Sequence, residues 1–148
     1  MEVVRQIAHR VLVLDGGKIV EQGPVAKVLA SPQAETTRSL LRGLSPSLPH
    51  DIQDRITPVG GTQGDQALIR VDVYGPAARK PLFAMIESIT GKPARLVHGG
   101  LNDVQGEPYG RLFLALGTKD PAAIAAVLAQ LAPETTAIEV LGHVPGDL

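Results

Sequence analysis

Ala67-Leu68-Ile69-Arg70-Val71-Asp72-Val73-Tyr74 alternates apolar and polar residues with a period of two. Ile69, Val71 and Val73 fall on one side, and Arg70 and Asp72 fall on the other with Leu68 and Tyr74. Successive side chains of a strand point to opposite faces, so this pattern predicts a strand with one buried face and one more open face. Gly75-Pro76 ends it. Lys80-Pro81 opens a helix, with proline at the tolerated first position, and Leu82, Phe83, Ile86 and Ile89 form its apolar stripe. Gly91 stops the helix at the usual C-terminal position. Residues 93–101 read as a second strand, and Gly99-Gly100 within it signals a bulge or a close approach. Residues 102–107 make a hairpin turn into a third strand at 109–117, with Leu112, Leu114 and Leu116 on one face. Asp120-Pro121 is a helix start, an N-cap followed by proline. Ile124, Val127, Leu128 and Leu131 follow at helical spacing, and Pro133 ends the run. Residues 136–144 are a fourth strand, with Ile138 and Val140 opposite Glu139, Leu141 and His143.

Two strand-helix-strand halves in succession predict an α+β fold. The expected architecture is a ferredoxin-like split βαβ unit, a four-stranded antiparallel sheet with both helices on one face. The second and fourth strands are then edges, and an open edge invites pairing with a second copy around a two-fold axis.

Working outward, residues 44–64 contain Pro46, Pro49, Pro58, Gly60, Gly61 and Gly64, the composition of a linker. Asp51 is placed to cap a turn of helix there. His50 and Asp54 have no further ligand at metal spacing, so they do not read as a metal pair. Before the linker, residues 1–8 suit a short helix, and residues 11–14 form an apolar run long enough only for a buried strand. Asp15-Gly16-Gly17 turns the chain into a strand at 18–22. Helices are expected at 25–29 and 35–42, the second stopped by Gly43.

Among 148 residues, 14 basic and 15 acidic side chains give a net charge of −1, with two Phe, two Tyr and no Trp. No basic stripe with interleaved aromatics favours nucleic acid. The absence of cysteine excludes disulfides, thiolate metal sites and cysteine nucleophiles. No apolar run approaches the ~20 residues of a membrane helix. No Ser/His/Asp arrangement can be argued from spacing, and Glu87, Glu107 and Glu139 belong to different elements, so the chain does not read as an enzyme.

The order Val3-Val4-Arg5-Gln6-Ile7-Ala8-His9-Arg10, Val11-Leu12-Val13-Leu14-Asp15-Gly16-Gly17-Lys18 and Ile19-Val20-Glu21-Gln22-Gly23-Pro24 resembles the end of an ABC-transporter ATPase domain. The sequence holds no G-x-x-x-x-G-K-[ST] phosphate loop, signature motif or Walker B carboxylate, and His9 lies on the wrong side of the Val-Val helix for the family's switch histidine. The resemblance implies that residues 1–43 are the C-terminal end of such a domain, separated from the rest by the linker at 44–64. Their covering elements are then missing, and the segment is expected to pack loosely on its own.

Residues 65–148 resemble the NIL domain of methionine-importing ABC transporters. The likeness rests on Leu68-Ile69-Arg70-Val71, Lys80-Pro81-Leu82, Tyr109-Gly110-Arg111-Leu112 and Glu139-Val140-Leu141-Gly142-His143-Val144. It implies a regulatory domain that dimerises and binds L-methionine to inhibit uptake. The implied site lies along Arg95, Leu96, Val97, His98 and Leu101, with Arg95 where the family can carry an asparagine. Arg95 is suited to a carboxylate, and Val97 and Leu101 to an apolar slot. The resemblance implies no cofactor in this chain. ATP and Mg belong to the intact parent, whose other partner is a membrane permease subunit, and the location is the cytoplasmic face of the cell membrane. A ligand-free dimerisation module is the alternative function.

Overall fold

The computed structural model describes residues 9–30, 32–42, 47–57, 66–104 and 106–148. Strands β3 (Gln66–Tyr74), β4 (Arg95–Val104), β5 (Glu107–Ala115) and β6 (Ala137–Val144) form one sheet in the order β4-β5-β3-β6. Every neighbouring pair is antiparallel. The two helices of this unit are α4 (Leu82–Thr90) and α5 (Pro121–Leu131). This is the expected split βαβ arrangement, with the second and fourth strands of the unit at its edges.

The alternation of β3 explains the core. Ile69, Val71 and Val73 pack with Leu112, Leu114 and Leu116 and with Leu82 and Ile86 of α4 and Ile124, Val127 and Leu131 of α5. Each fully buried aliphatic side chain is worth roughly 1.5–3 kcal/mol, so this layer dominates stability. The helix ends follow local chemistry. Asp120 Oδ1 accepts the Ala122 N–H at 3.1 Å, with Pro121 at the first position. Gly91 closes α4 at φ +74°, its N–H donating to the Glu87 carbonyl at 2.8 Å. Lys80 and Glu134, 3.1 Å apart, tie the start of α4 to the turn after α5.

Four details differ from the plain reading. Pro81 is the N-cap of α4, not its first residue, because residues 75–79 form a short 3-10 turn. Phe83 is exposed, off the stripe made by Leu82 and Ile86. Strand β4 runs on to Val104, with a bulge ahead of its glycines and with Gly99 and Gly100 paired to Leu112 and Arg111. Leu96 pairs with Leu114 and His98 with Phe113, leaving Val97 as the extra residue. Gly99 follows at φ +92°, and a Cβ there would collide with the Arg111 carbonyl oxygen. In β6 a second bulge places Gly142 opposite Leu68 and Val140 opposite Ile69. Leu141 is the extra residue, so His143 joins Ala67 on the helix-facing side, away from Glu139 and Leu141.

The open face has three zones. At one end Leu68, Phe113, Ala115 and Val144 are buried under Leu48, Ile52, Ile56, Leu141 and Leu148. At the centre Arg111 grips Asp72 with two bonds of 2.8 and 3.2 Å, and Arg70 bonds Glu139 at 3.0 Å. At the other end Tyr74 and Tyr109 meet Val25 with Val11 and Leu29. Residues 48–57 therefore pack on the sheet. Their short helix α3 (His50–Gln53) has Pro49 as its N-cap, so Asp51 lies inside the first turn and is not the cap. Thr57 and His143 exchange two main-chain hydrogen bonds of 2.9 Å, extending the sheet beyond β6.

The N-terminal residues form a hairpin, β1 (Arg10–Asp15) and β2 (Lys18–Pro24), closed by Gly16 and Gly17 at φ +58° and +78°. Helices α1 (Val25–Ala30) and α2 (Glu35–Arg42) follow. Among the described residues, the strand expected to be buried at 11–14 is covered on one face only. Val11 and Val13 are half-buried, whereas Leu12 and Leu14 are 58% and 62% exposed. The helix expected at 1–8 and the stop at Gly43 lie outside the described residues.

Glu21 joins this hairpin to α2. Its carboxylate accepts the N–H groups of Gln33 at 2.8 Å and Ala34 at 3.0 Å. Burial pushes its pKa up, but Thr37, these two N–H donors and the Arg38 charge outweigh it, and the pKa falls below 4.5. A carboxylate with a depressed folded pKa stabilises above its unfolded pKa, and that stabilisation disappears as the pH falls through the folded value. Glu21→Gln should therefore destabilise the hairpin–α2 segment at pH 7 and lose its difference from the parent chain in strong acid, read by urea unfolding against pH. Gly99→Ala should cost roughly 2 kcal/mol or more, because alanine resists this φ and its Cβ meets a main-chain oxygen. Thermal unfolding checks it, with Gly100→Ala, where a Cβ finds open space, as the milder comparison.

Candidate functional site on the β4 edge strand

Strand β4 pairs with β5 on its inner side, and among the described residues no strand pairs with its outer side. An unpaired edge offers a row of main-chain donors and acceptors. The five residues expected to bind ligand all lie on it, but the bulge at Val97 divides them. Arg95 is opposite Ala115, and His98 opposite Phe113, both on the open face. Val97 packs against the same apolar cluster. Leu96 and Leu101 sit opposite Leu114 and Gly110, on the helix-facing side, and are 48% and 52% exposed. The single slot expected from Val97 and Leu101 is therefore not formed within one chain. Plain alternation puts residues 97 and 101 on one side, and one inserted residue reverses that.

Arg95 is already engaged. Its Nη1 donates to the main-chain oxygen of Leu148 at 2.7 Å and its Nη2 to Gln66 Oε1 at 2.8 Å. The two donors are spent on two different acceptors, and a guanidinium freed from them can grip a carboxylate with both. His98 is half-buried, its ring centroid 6.2 Å from that of Phe113 with the planes tilted by 39°. The open-face group is thus Arg95, Val97 and His98, joined by three residues not anticipated from sequence: Gln66, Phe113 and Leu148. Leu48, Ile52 and Ile56 close the same cluster from the other side. Their spacing of four residues is a helical signal that the surrounding prolines obscure.

His50 and Asp54 meet only through the main-chain hydrogen bond of a helical turn, at 2.9 Å, and both are exposed. Among the described residues no three His, Asp or Glu side chains gather as a metal site. Among the same residues no helix is long and apolar enough to cross a membrane.

Comparison of the sequence with known proteins identifies a family. The NIL domain model matches residues 67–140, half of the chain and nearly the whole of the sheet unit. The chain is also 44% identical over 144 residues to a methionine import ATP-binding protein MetN of Mesorhizobium japonicum. It is 42% identical over 147 residues to the protein of that name from Brucella abortus, and 44% identical over 143 residues to that from Rhizobium johnstonii. These matches cover 97–99% of this chain and 39% of each relative. The chain thus spans about two fifths of the length of the relatives it matches, and the likeness includes the hairpin and helices ahead of the sheet. With half of its residues matched by that family's model, the chain belongs to the NIL domain family.

Proposed function

We propose that this chain is the regulatory C-terminal part of a methionine import ABC transporter's ATP-binding subunit, and that it binds L-methionine to restrain uptake. The observation that carries the reading is the continuous likeness to methionine import ATP-binding proteins across both the NIL unit and the residues before it. In this reading residues 1–43 are the end of an ABC ATPase domain, residues 44–64 the linker, and residues 65–148 the sensor. ATP and Mg bind elsewhere in the intact subunit, which works with a membrane permease on the cytoplasmic face of the cell membrane.

The ligand site is Arg95, Leu96, Val97, His98 and Leu101. Arg95 exchanges the Leu148 oxygen and Gln66 for the ligand carboxylate. The open β4 edge receives the ammonium group on its carbonyl oxygens. Leu96 and Leu101, half-exposed on an unpaired edge, meet their counterparts in a second copy, so the apolar slot is built from two chains. Methionine acts as a brake only by binding one transporter state more tightly than the other. The same exposed leucines support a second reading, a module that dimerises the subunit without any ligand.

Titration calorimetry of the 148-residue chain with L-methionine, L-leucine and D-methionine separates these. The expected result is saturable binding selective for L-methionine, weakened at least tenfold, about 1.4 kcal/mol, by Arg95→Ala. No heat at millimolar methionine from a folded dimer would overturn the sensor and leave the dimerisation module.

A further inference from the structure

The stretch between the N-terminal hairpin and the sheet reads as a linker, yet residues 48–57 are fastened to the sheet and its C-terminal tail at three points. Leu48, Ile52 and Ile56 enter the apolar cluster of the open face. Gln53 Nε2 donates to the Leu48 carbonyl at 2.6 Å, folding the segment back on itself. Arg55 Nη2 lies 2.6 Å from Asp147 Oδ1. Thr57 exchanges two main-chain bonds with His143. Residues 145–148 complete the enclosure, with the Leu148 side chain in the cluster and its main-chain oxygen on Arg95. Strand β4 is tied in at the same place, because the bulged Val97 packs against that cluster.

We propose that residues 48–57 and 145–148 form a clasp over the open face, and that this clasp and the β4 bulge open and close as one cooperative unit. The polar contacts are individually weak, since exposed ion pairs contribute little alone. The shared apolar cluster makes them cooperative, because losing one wall exposes the others. The clasp lies in the chain between the N-terminal hairpin and the sheet. A displacement of β4, by a ligand or a second copy, is therefore felt in the segment that leads to the N-terminal unit. Coupling of this kind is reciprocal: loosening the clasp also loosens the bulge. The clasp needs no methionine to form.

Native-state amide hydrogen exchange on the full chain tests it. The amides of Thr57 and His143 report the clasp, and that of Val71, at the centre of the sheet, reports global unfolding. Val97→Ala should speed exchange at Thr57 and His143 at least tenfold while Val71 changes less. Leu148→Ala should do the same from the opposite wall, which keeps the test decisive if the first variant folds poorly. Unchanged exchange at Thr57 and His143, or equal acceleration at Val71, would overturn the proposal. The measurement contains no ligand, so its failure leaves the methionine reading standing, and failure of methionine binding leaves the clasp standing.

Discussion

Strand β3 holds the centre of the sheet, and the strict alternation of its side chains gives the two faces different tasks. The face of Ile69, Val71 and Val73 is fully occupied by the two helices. The other face carries Leu68, Arg70, Asp72 and Tyr74 in sequence order, and each meets a different neighbour. Leu68 belongs to the apolar cluster under residues 48–57, and Tyr74 belongs to the contact with α1. Between them Asp72 receives Arg111 bidentately and lies 3.5 Å from Arg70 Nε. The apolar layer stabilises far more than these partly solvated ion pairs, at roughly 1 kcal/mol or less each. The pairs instead favour one register, because shifting a strand by one residue would carry Asp72 and the arginines into the helix-facing core.

That division explains what was legible in the sequence. The alternation of residues 67–74, the helical spacing of Ile124, Val127 and Leu131, and the Asp120-Pro121 cap are all local, and each fixed its element closely. So did the alternation of Leu112, Leu114 and Leu116. The bulges were legible in part. Gly99 announced one through its lack of a side chain, while the other at Leu141 gave no cue apart from Gly142. A bulge is set by pairing with a neighbouring strand, and its effect on facing is long-range in sequence. Alternation alone puts Val97 with Leu101 and His143 with Leu141, and in each case one inserted residue undoes that pairing of faces.

The segment at 47–57 was obscured for a different reason. Proline and glycine density is a reliable sign that no long helix can form, and none does. It says nothing about whether a short turn can still pack. Leu48, Ile52 and Ile56 bury apolar surface from a segment with a single helical turn, and Thr57 then adds an extended pair to the β6 edge. The hairpin illustrates the converse. Residues 11–14 have the composition of a buried strand, but the described chain supplies a cover for only one of their faces. Composition reports what a strand can bury, and only its neighbours decide what it does bury.

The placement of the two attachments on the open face has a mechanical consequence. Helix α1 contacts the tyrosine end and residues 48–57 contact the leucine end, so the N-terminal part of the chain reaches this sheet at two separated points on one rigid surface. A tether joined at one point lets two units swivel independently. Two attachments across a sheet constrain their relative orientation, because moving either one strains the other. The edge strand β4 borders both ends, since Val97 packs in the cluster with Ile52 and Ile56 while Asn102 pairs with Tyr109.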